Sequence, residues 1–378
     1  MRLSSDPSAR RRLALLVGAA LLALAAGIAV GAGREEHPAD PGVPRGDLPP
    51  DLLEAVDRLS LRQQVGQLTI SSFAGTTVPD YVRRRLRTGQ TAGVILFGPN
   101  GGPRVHWRRL ARALQRAAGR SALVMVDQEG GEIRTVDWAG PVAGQPSQGG
   151  PEAVRSAARA AARQLRGAGV NVNLAPVADV PVGAGAVMRS RAFAGDAGDV
   201  AAGTRAALEG MWGARVAATA KHFPGLGRAT TNTDDGAAVV SGSLRGDLIP
   251  FRAAIESDVP LVMLSHALYP SVDRRRIASQ SPRVVTGLLR GELGFDGVVV
   301  TDSIEAQAVL ERSGVAVAAE RSVRAGADLI LMTGSASWND VYPRLLARAR
   351  RSDGFRERVR RSAARVLVLK RRLGLSLP

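Results

Sequence analysis

Two places in this 378-residue chain bring together side chains that can act on a polar carbon centre. The first is a lysine. Lys occurs only at positions 221 and 370, and almost every other basic side chain is Arg. Lys221 opens the run Lys221-His222-Phe223-Pro224-Gly225-Leu226-Gly227, directly after the small, strand-like Val216-Ala217-Ala218-Thr219-Ala220. A strand that ends in Lys-His and turns through Pro-Gly delivers two donors to one place. An ammonium is a compact point donor that fits beneath a small polar ligand, whereas a guanidinium is a wide planar fork. The plainer alternative is a strand-end surface lysine. The second place is Asp302, which ends the buried-strand pattern Val298-Val299-Val300-Thr301. A carboxylate so placed can attack an electrophilic carbon. It can equally cap a helix that starts near Ile304.

Such groups need a frame that gathers the ends of distant segments. From Leu52 onward, short apolar runs alternate with longer amphipathic segments, the sequence form of strand-helix units around a parallel sheet. Strands are expected over residues 68–73, 93–97, 122–126, 170–174, 217–221, 261–265, 297–301 and 328–332, with helices over 103–118, 152–168, 200–212 and 282–293. About eight such units predict a single α/β domain, a (β/α)8 barrel of TIM type. A doubly wound open sheet shares the alternation, but no glycine fingerprint follows the first strand. Barrel enzymes place reactive groups where strands end and loops begin. Here the third strand runs into Asp127-Gln128-Glu129-Gly130-Gly131 and the fourth carries Asn173 and then Asp179. The fifth ends in Lys221-His222, the sixth meets His266 and the seventh meets Asp302. One or two polar ends would be ordinary helix caps; five around one mouth describe a ligand site.

A hydrophobic content of 45% suffices for one large core. The formal net charge of +17 favours anionic surroundings. Nucleic acid is not the expected partner, because Arg is dispersed along amphipathic helices, aromatics make up 4%, and no groove-reading motif appears. With no Cys, the chain has neither disulfides nor a cysteine-linked lipid anchor. The four His, at 37, 106, 222 and 266, lack ligand spacing, so no metal and no other cofactor is expected. Arg10-Arg11-Arg12 precede an uncharged Leu/Ala/Val run over residues 13–32, the pattern of a signal peptide or a membrane anchor. Residues 1–33 are read as that leader, 34–50, rich in Pro, Asp, Glu and Gly, as a spacer, and 51–378 as the barrel domain. The expected location is outside the cytoplasm, either extracellular or held on the outer face of the cytoplasmic membrane.

Taken in order, five motifs resemble glycoside hydrolase family 3, in particular its single-domain β-N-acetylglucosaminidase branch. They are Val126-Asp127-Gln128-Glu129-Gly130-Gly131, the stretch from Gly169 to Val180 with Asn173-Leu174-Ala175-Pro176, Arg191-Ala192-Phe193, Lys221 to Gly227, and Phe295 to Asp302. Ser265-His266-Ala267 and Arg324-Ala325-Gly326-Ala327-Asp328 fit the same pattern. The resemblance implies a retaining glycosidase with Asp302 as the nucleophile that forms a glycosyl-enzyme intermediate. It further implies that Asp127, Arg191, Lys221, His222 and His266 surround the terminal sugar, and that the substrate is a carbohydrate of cell-wall origin carrying β-linked N-acetylglucosamine.

The chain departs from that branch in three places. The loop after Gly227 carries there an Asp-Ser-His trio whose His is the general acid/base, and the same places here hold Asn232, Thr233 and Asp234. Asp234 is therefore the expected proton donor, with its pKa raised by burial, and Asp235 is the substitute one residue on. Thr135 stands where the family has Arg, with Arg134 one place earlier, and Leu226 stands where the branch has a second His. Two other functions fit parts of the pattern: a catalytically weak or silent sugar-binding barrel of the cell envelope, and a lyase forming a Schiff base on Lys221.

Overall fold

The computed structural model describes residues 48–378; the expected leader and nearly all of the spacer lie outside them. Eight parallel strands form the central sheet: β1 (Thr69–Ser71), β2 (Gly93–Ile95), β3 (Leu123–Val126), β4 (Val172–Asn173), β5 (Ala217–Phe223), β6 (Leu261–Leu264), β7 (Val298–Thr301) and β8 (Ile330–Leu331). Their spatial order is β7-β6-β5-β4-β3-β2-β1-β8. β8 pairs with β1, Ile330 opposite Thr69, and a parallel bridge between Val300 and Leu329 ties the same segment to β7. The sheet thus curls round on itself as the expected (β/α)8 barrel, with a helix after each strand.

Side-chain alternation explains both the core and the mouth. Ile95, Leu123, Met125, Leu261, Met263, Val298, Val300 and Leu331 form one cluster inside the barrel. Their neighbours Val94, Val124, Val262 and Val299 belong to a second cluster beneath the surrounding helices. With a period of two, the inward row of each strand continues into the loop that follows it. Asp127 therefore follows Leu123 and Met125, and Asp302 follows Val298 and Val300. At the opposite end Val366 and Leu369, from the C-terminal helix Asp353–Arg372, plug the floor of the barrel.

Local signals set the helix ends. Asp196 caps Ala197–Trp212, its carboxylate accepting from the backbone N–H of Gly198 and Asp199. Pro151 starts Pro151–Ala168, and Gly169 ends it at φ 95°, where a Cβ would also lie 2.3 Å from that of Ala111. The helix over Arg283–Glu292 is wound as a π-helix. Two antiparallel hairpins, Gln128–Gly130 with Ile133–Arg134 and Leu268–Tyr269 with Asp273–Ile277, were not foreseen, because their strands are too short and polar to show a hydrophobic period. The helix expected near Ile304 begins instead at Gln307, with Ala306 at its N-cap and no side-chain cap, so Asp302 caps nothing there. Among the described residues no helix is long and apolar enough to cross a membrane.

A buried charge cluster fixes the entry to β8. Asp328 accepts hydrogen bonds from Arg290, from Arg358 (2.8 Å), from the Ser362 hydroxyl (2.8 Å) and from the Val299 N–H (3.0 Å). Burial pushes its carboxyl up, but Arg290, Arg365 and Arg358 outweigh burial and hold it below the usual carboxylate range. Its contribution is complete above the unfolded-state value near 4 and is lost as pH falls through the lower folded value. Asp328→Asn leaves three guanidiniums facing no anion and is expected to cost about 3–5 kcal/mol, read as a lowered urea midpoint at neutral pH.

Candidate active site

The mouth of the barrel holds a cavity of about 540 Å³ lined by Asp127, Glu129, Arg191, Lys221, His222, Asp234 and Asp302, with Phe97, Met263 and Leu331 as its apolar base. A second cavity of about 250 Å³ lies at the floor beside Leu48, Pro260 and Val298, and contains none of these groups.

Lys221 and His222 reach the mouth together because the pairing of β5 with β6 shifts register between Ala220 and Phe223. On its other side β5 is extended by a bridge to Val177, with the Ala178 N–H donating to the Lys221 carbonyl. That extension brings Asp179 against His222. The Asp179 carboxylate accepts from His222 Nδ1 (2.8 Å) and from the backbone N–H of His222 (3.2 Å) and Leu226 (2.6 Å). His222 Nε2 then points to Asp302, 3.9 Å from its Oδ2. The turn that follows passes so close to Val180 that a Cβ on Gly227 would sit 2.0 Å from its carbonyl oxygen.

Lys221 is almost fully buried, its Nζ 2.7 Å from both Asp127 Oδ1 and Glu129 Oε1. Glu129 also takes a two-pronged bond from Arg191, Nε to Oε2 at 2.9 Å and Nη2 to Oε1 at 2.7 Å. Burial pushes the Glu129 carboxyl up, yet Lys221 and Arg191 overcome it and bring it to about 2. Burial lowers the Lys221 ammonium, but Asp127 and Glu129 more than compensate and keep it above its ordinary value. Glu129, which carries both cations, was not singled out in the sequence. The signal available was its place two residues beyond Asp127 in the same motif.

Two of the carboxylates that line the cavity, Asp302 and Asp234, are tuned in opposite directions. Burial raises the Asp302 carboxyl, and the facing His222, His266 and Lys221 together with the Ser303 N–H (2.8 Å) bring it below the usual range. Asp234 sits at the rim on the loop after β5, and partial burial followed by the charge of Asp302 raises it. Its loop is sewn to the one that follows Asp302: the Gln307 and Ala308 N–H groups donate to the carbonyls of Asp234 (3.2 Å) and Thr233 (3.0 Å). Asp235 does not line the cavity, whereas Arg134, Thr135 and Leu226 do.

His266 is placed differently from the expectation of a sugar contact. It is fully buried beside Asp302, with Nδ1 2.7 Å from the Ser279 hydroxyl and Nε2 2.9 Å from the Ser303 carbonyl. Both ring nitrogens are occupied, so His266 supports the loop behind Asp302 and does not line the cavity.

Asp179→Asn should leave the fold intact by circular dichroism. It replaces a triple acceptor with a group that can serve only part of it, so kcat/KM should fall roughly 10- to 100-fold, the equivalent of 1–3 kcal/mol.

The sequence model described as the glycosyl hydrolase family 3 N terminal domain matches residues 60–369. A β-hexosaminidase of Xanthomonas oryzae pv. oryzae is 38% identical over 279 residues, covering 70% of this chain and 83% of that protein. A glycoside hydrolase family 3 β-N-acetylglucosaminidase from Paenibacillus sp. superposes with a TM-score of 0.80 at 36% identity; the match covers 84% of this chain and 63% of the length of that protein. A β-N-acetylhexosaminidase from Beutenbergia cavernae gives 0.78 at 31% identity, covering 82% of this chain and 98% of that one. With its barrel, its motifs in order and a match over most of its length, this chain belongs to glycosyl hydrolase family 3 and is an O-glycosyl hydrolase acting on β-linked sugars.

Proposed function

We propose that the chain removes terminal, non-reducing β-linked sugars with retention of configuration, with Asp302 as nucleophile and Asp234 as general acid/base. The observation that carries this reading is the meeting, in one cavity, of a carboxylate held ionised and a carboxyl held toward its protonated form. Asp302 attacks the anomeric carbon while Asp234 gives its proton to the departing glycosidic oxygen. A glycosyl ester on Asp302 forms and the alcohol leaves. Asp234, now ionised, takes a proton from water as the water attacks the same carbon, and both carboxyls return to their first state. Asp127, Arg191, Lys221 and His222 supply the fixed donors and acceptors for the sugar hydroxyls.

The relatives named as hexosaminidases favour N-acetylglucosamine as the sugar. The uncharged run over residues 13–32 favours an exported or membrane-anchored enzyme, and cell-wall fragments are its natural supply of that sugar. The place of the branch's loop histidine is taken by Asp234, which favours a second reading as a sugar-binding barrel of low turnover. Schiff-base chemistry is disfavoured, because an ammonium bound by two carboxylates has no free electron pair.

Incubation with a 2-fluoro or 5-fluoro β-glycoside followed by peptide mass spectrometry is expected to find the sugar on Asp302, and Asp302→Asn should lower turnover by at least 10³-fold with the fold unchanged. Sugar binding with no adduct selects the second reading. For aryl β-N-acetylglucosaminides, kcat/KM should fall on the acid side as Asp302 protonates, below the ordinary carboxylate range, and on the alkaline side as Asp234 ionises, above it. Asp234→Asn should abolish the alkaline limb and slow poor leaving groups far more than good ones; equal slowing of both would remove Asp234 from the role.

A further inference from the structure

The chain's positive charge is unevenly placed. Between Tyr81 and Val126 there is no Asp or Glu, nor is there one between Ala153 and Ala178. These stretches supply three helices that pack side by side on one flank of the barrel: Asp80–Arg87, Arg104–Ala117 and Pro151–Ala168. Arg84, Arg87, Arg109, Arg112, Arg116 and Arg163 all stand exposed there, and among the described residues none lies within 4 Å of a carboxylate. At the floor, by contrast, Arg360 pairs with Asp57, Arg371 with Asp51 and Arg372 with Asp258. The two carboxylates of these helices, Asp80 and Glu152, lie in their first turns and pair with Arg83 and Arg155, so the arginines farther along the three helices form a contiguous surface with no carboxylate partner.

We propose that this flank is a docking surface for a linear anionic glycan. Guanidiniums match carboxylate and phosphate oxygens in a planar fork, which suits a repeating anion. The arginines extend along helices of 8, 14 and 18 residues, about 12, 21 and 27 Å long, from the mouth end toward the floor, and fan round three helices of a convex cylinder. A flat bilayer touches such a surface along one line, whereas a flexible chain can follow all three rows. Among the described residues, these three helices carry one exposed aromatic ring for base stacking, Tyr81 at the start of the first helix. The choice of a glycan over other polyanions rests on the glycosidase reading: a polymer held on the flank raises the local concentration of sugar ends at the adjoining mouth.

The test is binding of the full chain to polygalacturonate, a linear carboxylated glycan, with neutral dextran, anionic phosphatidylglycerol vesicles and duplex DNA as comparators. Polygalacturonate should bind at low salt, dextran should not, and binding should vanish near 0.5 M salt, where screening extends to only about 4 Å. The triple variant R109Q/R112Q/R116Q should bind at least tenfold more weakly. The triple variant R274Q/R275Q/R276Q, which removes the same charge from the exposed Asp273–Ile277 strand, should bind nearly as well as the parent. Both should keep full activity on a small aryl glycoside, since none of the six lines the cavity. Equal weakening by the two variants, or tighter binding to vesicles or DNA than to the glycan, overturns the proposal. Because binding is read without turnover, an inactive but glycan-binding protein would refute the catalytic reading and leave the docking surface standing.

Discussion

One carboxylate holds the site together. Glu129 is buried between an ammonium and a guanidinium, and without it both cations would face the cavity with their water removed and too little negative charge in return. With it, Lys221 bridges to Asp127, Arg191 is fixed as a planar fork, and the cavity wall presents a settled pattern of donors. The wall of the proposed sugar pocket is thus an ion network whose groups need no further ordering to meet the hydroxyls of a substrate.

The contrast between Asp302 and Asp234 follows from what surrounds each of them. Asp302 faces His222, His266 and Lys221 and receives a backbone N–H, all of which favour the anion. Asp234 has as its strongest charged neighbour Asp302 itself, so ionising the deeper carboxylate helps keep the outer one protonated. Burial together with this coupling therefore separates two chemically identical side chains in the way the two proposed roles require.

The barrel was legible in the sequence because its strands are runs such as Val298-Val299-Val300-Thr301, buried on both faces, and its helices carry clear ends such as Pro151 and Gly169. The mouth residues were legible as the polar groups at the ends of those strands. The rest was hidden for definite reasons. Glu129 sits on a hairpin of three and two residues, too short to have a period. The role of Asp179 depends on β5 bonding to Ala178, a contact across 43 residues of chain. His266 looked like a strand-end ligand, and only packing shows both its nitrogens occupied from behind. The helix after Asp302 starts later than expected because Ile304-Glu305 form a turn, closed by the Ala306 N–H on the Ser303 carbonyl, before Gln307.

The hydrogen bonds from Gln307 and Ala308 to the carbonyls of Asp234 and Thr233 have a mechanical consequence. Asp234 and Asp302, the proposed proton donor and nucleophile, thus hang from two segments bonded directly to each other. In the proposed mechanism the separation of the two carboxyls decides whether a carboxylate or a water reaches the anomeric carbon, and these bonds constrain that separation. On the retaining reading, stereochemical outcome would rest partly on two backbone amides, those of Gln307 and Ala308, that lie outside the sugar pocket.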